Sequence, residues 1–291
     1  AKAKSSKSNK AETIILNLYA WARLKGVPLF FQRQLPKRTK YSTNFYILLA
    51  YNSCMWSNVI SIGKEYSKEI DYILAQLQCT KDVSYATEES EQRMWIYLAS
   101  SCENAQQIEN EMYRILSVVF LSFLKLRFFL ERLPIHCMSY AKCVLISSML
   151  HFDEAYEENL IATTLSDSMD YNVDGLFNFR LRMLKESWEE IADVAARLLE
   201  GSDGDKDVFD IATFIAGSEG GKSRIATDGQ TIDNITQRRR VEIVRLYDDS
   251  EYNLIDAIVK EKPFEIYVTN KNLSDAMRGI LKKIAKVIEK I

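Results

Sequence analysis

Residues 216–223, AGSEGGKS, follow a permissive phosphate-loop pattern, with Ala216 where the first Gly would stand. In such a loop the backbone N–H groups around Gly221 wrap phosphate oxygens, Lys222 meets the terminal phosphates and Ser223 holds magnesium. The chemistry needs a strand before the loop and a helix opening at Lys222. The following RIATDGQTI reaches an Asp228-Gly229 turn within a few residues, too soon for a proper helix. Asp248 and Asp249 likewise come too soon for a second motif reached through a crossover. A Gly-rich connector is therefore preferred, and nucleotide binding through Gly221, Lys222 and Ser223 is the alternative.

Other charged groups carry less chemistry. Arg238, Arg239 and Arg240 precede an expected strand and could meet phosphate or an acidic partner, but the net charge of −2 favours a solvated strand edge. The acid pairs Glu88/Glu89, Glu157/Glu158 and Glu189/Glu190 are sequence neighbours whose side chains point apart, so none implies general acid–base work. His136 and His151 fall on separate expected elements and read as packed or solvated rings. Five cysteines without a CxxC pair argue against zinc and disulfide frameworks and for reduced, mostly packed thiols. No catalytic residue, metal or cofactor is expected, and the chain reads as a binding protein rather than an enzyme.

The most strongly patterned element that must position any site is residues 171–199, YNVDGLFNFRLRMLKESWEEIADVAARLL. Asp174 is the expected N-cap, and Phe177, Leu181, Leu184, Trp188, Ile191, Ala195 and Leu198 fall three or four apart along one apolar stripe. Phe177 and Phe179 are two apart, so they cannot share one helical face. The segment around Phe179, Arg180 and Leu181 resembles the Phe-x-x-Phe-Arg-Leu signature, led by an acidic residue and Gly, of the YtxC-like putative sporulation family. Leu176 stands where the first Phe of that signature would be, and Met183 and Leu184 replace an expected Tyr. The resemblance covers residues 55–291, is specific only around this helix, and brings no catalytic residues. It implies a cytoplasmic, sporulation-associated protein that binds an unknown protein partner, with Phe177, Phe179, Arg180 and Leu181 as the candidate binding residues.

Residues 1–54 differ from the rest: Lys and Arg far outnumber the single acid Glu12, and aromatics are dense. They could bind a membrane surface or a nucleic acid, but a packing arm or a leader outside the fold is preferred. They resemble a signal peptide only superficially, because Asn17 interrupts the apolar part. Residues 115–130 are too short and too charged, with Lys125 and Arg127, to span a membrane.

The remaining pattern predicts strand 58–62, helix 66–77 and strands 82–88 and 93–99. A long helix 104–132 follows, then helix 140–150, and an acidic helix 153–165 with Tyr156, Leu160, Ile161 and Leu165 inward. Helix 206–216, strand 241–247, helix 252–260, strand 264–270 and helix 274–291 complete it. The expected class is α+β: a mostly helical core, a small N-terminal β-α-β-β unit and a C-terminal strand and helix portion. The expected divisions are an extension 1–54, a unit 55–100, a helical core 101–200, a connector 201–235 and a C-terminal portion 236–291.

Overall fold

The computed structural model describes residues 55–289 except 136, 202–203, 217–220 and 270–272. The expected extension 1–54 and His136 therefore lie outside the described residues. The chain is α+β and divides into two compact units. One holds the described residues up to Arg114 together with Ser168–Leu176; the other holds Ile115–Asp167 and everything from Phe177 on.

The first unit is built on strand β1 (Met55–Gly63), helix α1 (Ser67–Cys79) and the hairpin β2 (Ser84–Glu89) and β3 (Arg93–Ser101). The hairpin closes where Ser90 N donates to Arg93 O at 2.9 Å. A two-residue strand β4 (Tyr171–Asn172) pairs parallel to β1, giving the sheet order β2-β3-β1-β4. Antiparallel register sets Ile60 against Ile96 and Ile62 against Met94. With Leu98 these side chains share one face, and all are buried. Alternation of this kind is legible in the chain, and the expected strands and helix stand within a few residues of their places.

The expected helix 104–132 is present but not regular. Helix α2 (Ala105–Val118) passes into a π-helical stretch Val119–Leu124 and continues as α3 (Lys125–Arg132). Wider i→i+5 turns change which side chains share a face, so a 3.6-residue period read along the chain loses its phase here. Lys125, the first residue after the stretch, is wholly buried.

In the second unit the most enclosed element is helix α4 (Tyr140–Leu150), which buries every residue from Cys143 to Leu150. Lys142 is its one charged residue, the composition of a helix covered on all sides. Helix α5 (Glu154–Ser166) follows; the chain re-enters this unit at Phe177 within a π-helical turn (Leu176–Arg180) and continues as helix α6 (Arg182–Glu200). Next come α7 (Asp205–Ala216) and, later, α8 (Ser250–Lys260) and α9 (Asp275–Ile284), all three packed against α4. Organisation around residues 171–199 is therefore corrected within this unit: α4 is the hub.

A second sheet has the order β7-β6-β5-β8-β9, from β5 (Ser223–Thr227), β6 (Ile232–Asn234), β7 (Arg239–Arg240), β8 (Pro263–Val268) and β9 (Lys286–Glu289). β8 runs parallel to both β5 and β9, whereas β5, β6 and β7 form an antiparallel meander. The β5–β6 turn is the expected Asp228-Gly229, with Gly229 at φ +88°, where a Cβ would be strained. Two β portions thus form two separate sheets.

Three expectations fail in this region. Part of the expected connector 201–235 forms β5 and β6. The expected strand 241–247 is irregular, and Asn253 of α8 takes the backbone groups at its end: Oδ1 accepts from Leu246 N and Tyr247 N, and Nδ2 donates to Tyr247 O. The expected helix 274–291 stops at Ile284, and Val287 and Ile288 belong to β9.

Candidate functional site

The polar centre of the second unit is a charge cluster enclosed by aromatic rings. Lys125 Nζ donates to Glu157 Oε1 at 2.8 Å, to Glu157 Oε2 at 2.7 Å and to Leu150 O at 2.9 Å. These acceptors occupy the donors of an ammonium. Trp188 Nε1 donates to Glu157 Oε1 at 2.6 Å. The ammonium also lies 5.4 Å from the Trp188 ring centre and 5.9 Å from that of Phe129. Phe128 meets Trp188 edge-on, and Phe177 tilts against it from the π-helical turn. Lys125 is 0% and Glu157 4% side-chain exposed. Burial pushes the Lys125 pKa down and the Glu157 pKa up, each opposed by attraction to the other.

Elsewhere in the same unit, His151 caps α4 and lies between two carboxylates. Its Nε2 is 3.2 Å from Asp256 Oδ1 and its Nδ1 is 3.5 Å from Glu154 Oε2. Burial opposes protonation of the ring, but the two carboxylates outweigh it and raise its pKa. Glu154 also accepts from Lys260 Nζ at 2.6 Å. Burial alone would raise the Glu154 pKa; His151 and Lys260 overcome that and bring it down to about 2. The arrangement stabilises charge, and its charged groups are directed at one another.

Sequence reasoning missed this cluster. It placed Tyr156 inward on the acidic helix, whereas Tyr156 is exposed and Glu157 is the buried residue. It treated Glu157 and Glu158 as neighbours pointing apart and read Lys125 only as a charge that bars a membrane span. One signal was present: Lys125 stands in ILSVVFLSFLKLRFFL, where a lysine inside so apolar a run needs a partner.

The residues of the family-like motif separate. Leu181 is buried and Phe177 is half-buried against Trp188, with Lys185 Nζ 5.0 Å from the Phe177 ring centre. Phe179 is 81% exposed, Arg180 is exposed, and Met183, four residues on from Phe179, is 68% exposed. Asp174 is not the N-cap of α6. It takes a fork from Arg93, whose Nη1 and Nη2 donate to Oδ2 and Oδ1 at 2.7 and 2.9 Å. Asn172 supplies the local cap by accepting from Gly175 N at 3.1 Å. In the stripe, Ala192 replaces Ile191 as the buried residue, and Leu198 is exposed.

The phosphate-loop candidates serve the sheet instead. Ser223 opens strand β5 rather than a helix, and its buried Oγ donates to Glu261 O at 2.7 Å. Lys222 N donates to Lys262 O at 2.7 Å, so that amide is committed to the neighbouring chain segment. Gly221 lies so close to β8 that an added Cβ would be 2.4 Å from Phe264 N. Gly217–Gly220 would complete the loop but lie outside the described residues. Of the arginine run, Arg239 Nη2 donates to both Glu261 oxygens at 2.7 and 2.9 Å, and Arg240 meets Asp233 at 3.3 Å. The mostly packed thiols are corrected: Cys143 is buried, but Cys79, Cys102 and Cys137 are exposed. Among the described residues no His, Cys, Asp and Glu group is placed to hold a metal ion, and no helix is long and apolar enough to cross a membrane.

Comparison with protein-family models, curated proteins and solved structures gave no match to this chain.

Proposed function

We propose that this chain is a non-catalytic binding protein that takes a protein partner on the face formed by Phe179, Arg180, Arg182 and Met183. The observation that carries the reading is the exposure of Phe179 and Met183, four residues apart across the bend at Leu181, with the exposed Arg180 and Arg182 between them, while Leu181 and Leu184 are buried. Covering an aromatic ring of this kind is worth about 2 kcal/mol, a gain this face leaves for a partner. Arginine and aromatic side chains are also the types that dominate binding hot spots. The sporulation setting rests on the resemblance around the same residues and belongs to the proposal.

A photocrosslinking amino acid in place of Phe179 tests the reading in intact cells. It should give a discrete adduct that is absent when the probe replaces Glu190. No adduct, or the same adducts at both positions, removes the reading. Phe179→Ala and Arg180→Ala should lose the partner while melting with the wild type; a variant that unfolds would make its residue structural.

A further inference from the structure

The second unit carries another face that the core does not explain. Helix α7 buries Val208, Phe209, Ile211, Ala212 and Ile215, a complete apolar side. Its outer side exposes Asp207, Asp210 and Phe214 at spacings of three and four, so they form one stripe. Phe214 is 74% exposed. The Phe179 face has the complementary character: an apolar pair, Phe179 and Met183, flanked by Arg180 and Arg182. Arg182 pairs with Glu186 in an exposed i,i+4 contact that competes weakly with other partners. Both faces are exposed within the same chain, so neither covers the other there.

We infer that the occupant of the Phe179 face is a second copy of this chain, which presents Asp210 and Phe214 of α7. This rests on the reading that the Phe179 face binds protein, and names the partner. Phe214 meets Phe179 and Met183, and the Asp210 carboxylate meets Arg180 and Arg182. Two different faces make the contact heterologous, closing into a ring or pair or extending as an open chain according to the rotation between copies.

Sedimentation of the full chain over a concentration series is the test, with two double variants. Phe179→Asp with Arg182→Glu destroys the first face; Asp210→Lys with Phe214→Lys destroys the second. All four positions are exposed, and unchanged circular dichroism and melting would show that both variants fold. Wild type should self-associate, and each variant alone should associate at least tenfold more weakly. The wild-type association should also weaken as salt shortens the reach of charge, to about 3 Å at roughly 1 M. An equimolar mixture should recover association, because each variant keeps the face that the other lacks. A wild type that stays monomeric, variants that associate like wild type, or a mixture that does not recover would each overturn the inference. A monomeric wild type that still forms the position-179 adduct with another protein would overturn only the self-association.

Discussion

Two ion pairs, one in each unit, use the same chemistry in different surroundings. In the first unit Arg93 and Asp174 are 28% and 22% exposed, and the guanidinium fork also reaches Asn172 Oδ1 at 2.9 Å and Ser61 Oγ at 3.2 Å. It ties β3 to the short segment after β4. In the second unit Lys125 and Glu157 are removed from water almost completely, and rings replace the solvent. The first pair has water as a fallback when it breaks; the second has none. The Asp174 pKa shows the milder regime: burial raises it, but Arg93 and backbone N–H groups together lower it further, for a net fall.

The comparison breaks most visibly at Lys125. Lys125→Ala or Glu157→Ala leaves a charge buried without its partner and should cost about 3–5 kcal/mol in urea unfolding. The double change Lys125→Met with Glu157→Leu should cost far less than the sum, on the order of 1–2 kcal/mol, or nothing. A double variant as damaged as either single would show that the pair stabilises the fold outright, and one as damaged as the sum of the two would show that the residues contribute independently.

The pH dependence comes next in size. The raised His151 pKa means that its contribution is complete below the ordinary value of 6.5 and is lost as pH rises through the raised folded value. Thermal stability should therefore fall on the alkaline side, by up to about 1.4 kcal/mol per pH unit, with Asp256 and Glu154 as the carboxylates that hold the ring. His151→Asn should flatten that slope. Glu154 has the opposite sign: its contribution is complete above 4.5 and is lost as pH falls through about 2. Glu154→Gln should reduce the loss of stability in acid.

Arg93→Ala should be milder, about 1–2 kcal/mol, since Asp174 can turn to water. A cost as large as that of Lys125→Ala would erase the distinction between the two pairs. Smallest of all, Phe179→Ala should change stability by no more than about 0.5 kcal/mol, as expected of an exposed side chain, while abolishing partner binding.

Much of the fold was legible because local spacing carried it. Alternation in residues 58–62 and 93–99 gave the strands of the first sheet, and Trp188 belonged to the buried stripe as its spacing required. Helix α4 stands where residues 140–150 place it, although its position as hub follows only from the helices packed around it. The early Asp228-Gly229 turn disfavours a phosphate loop in the sequence, and that turn joins β5 to β6. The exposure of Phe179 was visible only as a conflict: Phe177 and Phe179 could not share one helical face, and the structure shows which one is the more covered.

By itself the chain determined what neighbours within a few residues determine: period and turn, and hence class, most helices and three strands of the first sheet. Tertiary structure decided whatever depended on distant partners. Glu157 lies 32 residues from Lys125 and 31 from Trp188, and only folding brings the three together. The same holds for Val287 and Ile288, which fit a helical stripe until β8 offers hydrogen bonds, and for Leu246 and Tyr247, whose backbone groups Asn253 takes. Side-chain spacing is a local quantity, whereas burial of a charge and satisfaction of a backbone group depend on what arrives from elsewhere in the chain.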